Sequence, residues 1–419
     1  MKRRILLVLS ILGIALYPHI SLAQWEDPMV NDTAGGKHTA GIYGMADICS
    51  NSITNLFAVN FALGNYLDNN LKDGVSSRLQ NDNRLGYILN YGAYVVWHND
   101  TIQKKRVFNF FFALRHKSYI NVDFSPDVFK VAFYGNAMYA GKNANFSGFS
   151  FNSLSYQQAE VGLVCTNFGG HAQLGIGLSF LAGQKLLTID APSASLYTEQ
   201  TGQYLLFNSN AQLHESDTSA TQQPINGFGA SVDLFFKAPY KIGKKTGTIS
   251  VSVSDLGFMY WNNKSISYQK DTSYDYSGIT INSITDLQNA AFNSLKKDSL
   301  QNKYLPFQKE TYYSPLPATL SINSNTNMGK WHLEAGFMYM FNANNLGYIY
   351  AQYDKPFSKG WMWALQLGYG GYETINSAFT LTKQIKKAEL KLVINHLQGF
   401  VLPNYFGGAG IYAEYSHSF

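Results

Sequence analysis

Leu174-Gly175-Ile176-Gly177-Leu178-Ser179-Phe180 is the stretch on which the fold turns. Four bulky apolar residues alternate with three small ones, the period of two by which a β-strand sends successive side chains to opposite faces. The pattern recurs along the chain. Ile249, Val251 and Val253 alternate with Ser250, Ser252 and Ser254, and Ala318, Leu320 and Ile322 alternate with Thr319, Ser321 and Asn323. Trp331, Leu333, Ala335, Phe337, Tyr339 and Phe341 share one face, as do Trp361, Trp363, Leu365, Leu367 and Tyr369. A soluble β-sandwich also alternates, but it solvates its outer faces with charge. Here the polar faces are mostly Gly, Ser, Asn and Gln, which suits strands with lipid on one side and a polar lumen on the other.

Composition agrees. Charged residues make up 14% of the 419, against about 25% in ordinary soluble domains, while aromatic residues reach 15%. Mean hydropathy is −0.15, too polar for a bundle of membrane helices. Strands of ~10 residues with their loops give an all-β fold, a transmembrane antiparallel β-barrel of about 14 strands, within a range of roughly 12 to 16. Trp97, Trp261, Trp331, Trp361 and Tyr415 fall near strand ends and are expected in the aromatic girdles at the two lipid interfaces.

The N-terminus reads as an export signal. Lys2, Arg3 and Arg4 precede an apolar run from Ile5 to Tyr17, and Ser21-Leu22-Ala23 places small residues before a cleavage point between Ala23 and Gln24. The run is too short for a membrane-spanning helix, which needs ~20 residues. The destination expected is the cell outer membrane. Loss of residues 1–23 brings the formal net charge from +5 to about +2, and without a clustered basic face no nucleic-acid partner is expected. Cys49 and Cys165 read as two buried thiols rather than a disulfide.

Three segments look helical. Ser125-Pro126-Asp127 supplies helix-start residues ahead of Val128, Phe129, Ala132 and Phe133. Leu67, Leu71, Val75 and Leu79 recur every four residues, and Ile284, Leu287, Ala291 and Leu295 make a third stripe. The domain reading is therefore a signal peptide at 1–23, an N-terminal segment at 24–84 that plugs the lumen, and a barrel at 85–419 with a long loop at 262–315. Phe129 and Phe133 are assigned to plug or ligand contacts, and Phe110, Phe111 and Phe112 add aromatic surface for an apolar pocket. Longer and shorter connections alternate from Phe228 onward in the order expected if the C-terminus lies on the periplasmic side. Between Gly183 and Asn226 the stretch is either one hairpin or two half-strands.

Glu160, Asp233, Asp255 and Glu334 are expected to face the lumen, because a charge turned toward lipid costs several kcal/mol. At the end of the chain Ile411, Ala413, Tyr415, His417 and Phe419 occupy one strand face and end in a terminal aromatic. With His417 as a departure, this resembles the recognition signature of barrels inserted by the bacterial outer-membrane assembly machinery, so that machinery and outer-membrane lipid are the expected partners. No HExxH or CxxC ligand spacing, GxSxG elbow, P-loop or dinucleotide fingerprint occurs. No metal, cofactor or catalytic set is expected, and the chain reads as a non-enzyme.

Phe133-Tyr134-Gly135-Asn136 followed by Gly141, Ser155-Tyr156 to Gly162-Leu163, Gly175 to Gly183, and Val251-Ser252-Val253-Ser254-Asp255-Leu256-Gly257 to Trp261 resemble, in order and spacing, an uncharacterised Bacteroidetes family of outer-membrane barrels. That family is distantly similar to the FadL-type transporters of long-chain fatty acids and to PorV, the shuttle barrel of the type IX secretion system. The resemblance implies a FadL-like barrel of about 14 strands with an N-terminal segment inside. Two functions follow from it. One is passage of a hydrophobic small molecule across the outer membrane. The other is a non-transporting, PorV-like barrel that anchors or presents an exported protein partner at the cell surface.

Overall fold

The computed structural model describes residues 38–98, 107–168, 171–217, 225–277 and 308–419. The signal-peptide residues with Ala23 and Gln24, and the stripe from Ile284 to Leu295, lie outside them. In chain order the strands are β1 (Thr39–Ser50), β2 (Asn83–Trp97), β3 (Val107–Phe124), β4 (Lys142–Asn145), β5 (Phe149–Phe168), β6 (Ala172–Thr198), β7 (Leu205–Glu215), β8 (Gly227–Ile242), β9 (Lys245–Trp261) and β10 (Ile266–Tyr276). They continue as β11 (Gln308–Lys309), β12 (Tyr312–Pro315), β13 (Thr319–Asn327), β14 (His332–Met340), β15 (Tyr348–Ser358), β16 (Trp361–Tyr369), β17 (Ile375–Ile385), β18 (Ala388–Asn395) and β19 (Ala409–Ser418).

Fourteen of these strands form a closed antiparallel barrel. The wall runs β1-β2-β3-β5-β6-β8-β9-β13-β14-β15-β16-β17-β18-β19 and returns to β1. Closure pairs Thr39 with Ser418, whose hydroxyls lie 3.2 Å apart, and the Phe419 N–H donates to the His38 carbonyl at 2.9 Å. Both described ends of the chain therefore lie at one rim, here the near rim. From β8 onward its turns are short and use positive φ at Gly243, Gly329, Gly360 and Lys386. Connections at the far rim are longer, as the alternation of loop lengths predicts.

The barrel wall begins at Thr39, inside the span 24–84 read from sequence as an N-terminal plug. Of that span, the helices Asn55–Ala62 and Asn69–Ser76 belong to the β1–β2 connection at the far rim. With the helix Pro126–Tyr134 they enclose a small apolar cluster of Phe57, Val75, Phe124 and Phe129, flanked by Leu67, Leu71, Leu79 and Phe133. Both four-residue stripes do mark helices, but those helices bury their apolar faces against each other as a rim cap. Residues 24–37 of the same span lie outside the described residues. Replacing Phe129 by Ala should cost about 3–5 kcal/mol of cap stability and open residues 51–82 to limited proteolysis. Unchanged protease resistance would mean that the cap does not depend on this cluster.

The faces follow the period of two. Leu174, Ile176, Leu178 and Phe180 point outward, as do Phe108, Phe110, Phe112 and Leu114 on β3, while Phe111 is buried inside. Only Phe111 of the Phe110–Phe112 trio thus adds aromatic surface to the interior. Ile411, Ala413, Tyr415, His417 and Phe419 lie on the outward face of β19. Near the near rim, aromatics gather on the outer surface. Trp97 stacks on His38 at 4.2 Å, the Trp331 and Trp363 rings lie 5.2 and 5.4 Å from Tyr353, and Lys383 sits 4.5 Å over Trp361.

Trp261 departs from the girdle expectation, being fully buried inside the barrel. A β-bulge is the reason. The β8–β9 register shifts between Val232 and Leu234, so that Ser254 and Asp255 together oppose Asp233, and Asp255 takes φ 57°. Before the bulge, odd-numbered Ile249, Val251 and Val253 face outward; after it the outward residues are even-numbered Leu256, Phe258 and Tyr260. A strict period of two from Ile249 would have turned Asp255 and Trp261 toward lipid. The bulge turns both inward.

β6 is longer than the wall. Its first part pairs with β8, and Leu187–Thr198 continues past the far rim to pair with β7, which in turn pairs with β10. Leu187–Thr198 and Leu205–Glu215 thus form one hairpin that extends beyond the barrel wall.

Candidate functional site: the barrel lumen

Alternate residues of the wall strands project inward, with the parity switching where a bulge intervenes, and they sort into layers. Toward the near rim Tyr43, Met45, Tyr94, Phe111, Phe235 and Tyr412 pack together. Toward the far rim Tyr119, Leu154, Tyr156, Met259, Trp261 and Met340 form a second apolar cluster.

A polar layer crosses the lumen at intermediate height and holds three of the carboxylates predicted from sequence. Arg115 on β3 lies 2.6 Å from Glu160 on β5 and 3.7 Å from Asp233 on β8, and Lys117 lies 2.5 Å from Asp255 on β9. Gln158 donates to Ser179 at 2.9 Å and to Asp255 at 3.0 Å, while the Asp255 N–H donates to Asp233 at 2.7 Å. All of these side chains are buried. Gly177 makes room for the arrangement, since a Cβ there would meet Glu160 at 2.1 Å. Glu334, the fourth predicted carboxylate, is also buried but sits across the barrel. It accepts from Tyr350 at 2.7 Å and from Asn325 at 3.3 Å. Paired charges in a packed layer form a barrier to ions, so the lumen at this height is walled by its own side chains.

Beside this layer is a cavity of about 150 Å³. Its apolar lining includes Met45, Ile88, Tyr119, Met338, Met340 and Tyr372. Phe129 and Phe133, assigned from sequence to ligand contact, are not among its lining residues and belong to the rim cap.

At one end of the cavity four functional groups converge, of which sequence reading singled out only Cys49, as a buried thiol. Asp47 and Cys49 stand two apart on the inward face of β1, Glu373 comes from the β16–β17 connection, and His396 follows β18. His396 Nε2 lies 2.8 Å from Asp47 and Nδ1 lies 3.0 Å from Glu373. The Asp47 carboxylate also accepts from Asn395 at 2.9 Å. His396 adopts φ 58°, a left-handed conformation unusual for a residue with a Cβ, which aims the ring inward. Gly408 passes so close that a Cβ would collide with Glu373 and His396. Burial opposes a charge on His396, yet Asp47, by its charge and hydrogen bond, together with Cys49 and Glu373, raises the imidazole's pKa well above its usual range. Burial pushes the Glu373 carboxyl upward. The one sequence signal was the Asp47-Ile48-Cys49 spacing, which puts a carboxylate and a thiol on one strand face.

A family model matches residues 41–390. The chain belongs to a family of unknown function, DUF5723. A search of curated proteins found no match. Among solved structures, the Pseudomonas putida toluene transporter TodX is similar at 9% identity and a TM-score of 0.43, over 94% of this chain and 93% of that one. A Pseudomonas aeruginosa FadL homologue is similar at 9% identity and 0.42, over 97% and 95%. The Bordetella autotransporter BrkA β-domain gives 7% identity and 0.29, over 91% and 99%.

Proposed function

We propose that this outer-membrane-type barrel binds a small hydrophobic molecule in the lumen on its passage across the membrane. The observation that carries the reading is the cavity beside the charged layer, with Met45, Ile88, Met338 and Met340 on its wall. About 150 Å³ is enough for a molecule of roughly benzene size, and the lining mixes apolar surface with polar groups, Asn90, Thr319 and Gln366 as well as the Asp47–His396 end, that give the molecule an orientation. The far rim offers a landing surface. Val59, Phe61, Leu63 and Tyr66 are exposed there, beside Phe400, Val401 and Tyr405 of the β18–β19 connection, and the Leu56 N–H donates to the Pro403 carbonyl. Contiguous apolar surface outside the lipid belt marks contact with something apolar.

The test is solvent extraction of the detergent-purified protein and mass spectrometry of what is released, against an unrelated barrel prepared identically. A specific enriched hydrophobe is expected. Met340→Trp, which fills the cavity, should lower its recovery about tenfold or more, a loss of about 1.4 kcal/mol in binding. Recovery of only the phospholipids found in the control would overturn the reading.

The hairpin standing beyond the far rim favours a second reading, a barrel that presents a partner protein at the surface. Replacing residues 188–214 by a short turn should leave the extracted hydrophobe unchanged under the first reading. Under the second, it should abolish capture of an exported partner.

A further inference from the structure

The geometry points to a divalent transition-metal site formed by Asp47, Cys49 and His396, with Zn²⁺ as the ion that fits it best. The ligand atoms of these three residues lie within 4.8 Å of one another. Two ligands bound tetrahedrally to zinc at about 2.0–2.3 Å stand roughly 3.3–3.8 Å apart, so the three need move only by fractions of an ångström to about one ångström. The Asp47–His396 contact of 2.8 Å would lengthen as the ion replaces the shared proton.

The donor set is chemically coherent. A thiolate, an imidazole and a carboxylate together suit a borderline ion such as Zn²⁺ and discriminate against Ca²⁺ and Mg²⁺, which prefer all-oxygen shells. Outer partners are also in place. Glu373 stands 3.0 Å from His396 Nδ1, which Asn376 also meets at 2.8 Å, and a carboxylate behind a ligating imidazole is the relation that orients its Nε2 toward the metal. Asn395 orients the Asp47 carboxylate from its other oxygen.

An independent observation supports the site. Glu373 Oε1 is buried without a hydrogen-bond partner among the described residues, although its other oxygen holds His396 and accepts from Gln398 at 2.8 Å. Three protein ligands leave the fourth position open, and the cavity lies beside it. The ion would tie β1 to the β16–β17 and β18–β19 connections. The inference does not depend on whether any molecule crosses the barrel.

The test uses the full mature chain in detergent, stripped with a chelator and titrated with Zn²⁺ or Co²⁺ alone. One Zn²⁺ per chain is expected, and Co²⁺ should give a thiolate-to-metal charge-transfer band that is lost in Cys49→Ser and retained in Cys165→Ser. Asp47→Asn and His396→Gln should each weaken Zn²⁺ binding, and Glu373→Gln should weaken it about 10–100-fold. Heat-dependent gel mobility reports whether each variant is folded. If Cys49→Ser does not fold, zinc-edge X-ray absorption of the wild type decides, with one sulfur scatterer expected. A folded wild-type chain that binds no stoichiometric metal would overturn the site. So would a Co²⁺ band that survives in Cys49→Ser, or a zinc shell containing no sulfur.

Discussion

Arg115→Met is expected to lower the stability of the barrel by about 3–5 kcal/mol, read as a shift in its urea unfolding midpoint in detergent. The guanidinium stands 2.6 Å from Glu160 and 3.7 Å from Asp233, and the side chains of Arg115 and Glu160 are fully buried. Removing the cation leaves two carboxylates in a low-dielectric layer, where an uncompensated charge is far more costly than a lost hydrogen bond. The remedy is built from the same logic. Adding Glu160→Gln and Asp233→Asn to Arg115→Met should restore most of the loss, because the layer then holds no unpaired charge. A destabilisation below about 1 kcal/mol for the single substitution, the range of exposed ion pairs, would show that water solvates this layer and that it is no barrier.

Leu178→Arg should cost about 2–4 kcal/mol. Leu178 lies on the outward face of β6, level with Val161 of β5 and Val232 of β8, and next to the inward charged layer in height. The neighbouring inward position provides the contrast. Ser179→Asn, inside the polar layer, exchanges one hydrogen-bonding group for another and should change stability by less than about 1 kcal/mol. Equal effects at the two positions would refute the assignment of the outer face to lipid.

Both predictions rest on faces that were legible in the sequence wherever one face was apolar and the other small or polar, as in Leu174–Phe180. Legibility failed where the interior is itself apolar. On β1, Tyr43 and Met45 point inward while Ile42 and Ile48 point outward, so alternation vanishes and the strand was read as part of a plug. Parity also fails across a bulge. The cost of a charge in lipid places Asp255 inward, and it is the bulge, invisible to a strict period of two, that turns both Asp255 and Trp261 to the inner face. The Asp47–His396 pair joins residues 349 apart in sequence. No spacing rule reaches that far, because only closure of the sheet brings β1 beside the β18–β19 connection.

That closure has a consequence for how the chain must be made. The seam between β1 and β19 joins residues 379 apart, so the first wall strand has no permanent partner on one side until the last residues have emerged and been exported. Contacts of such range are slow to form, and an unpaired strand edge invites pairing with other chains. The polypeptide therefore stays open-edged until β19 is in place between β18 and β1. A chain interrupted anywhere before β19 yields no smaller barrel, only a curled sheet with two exposed edges.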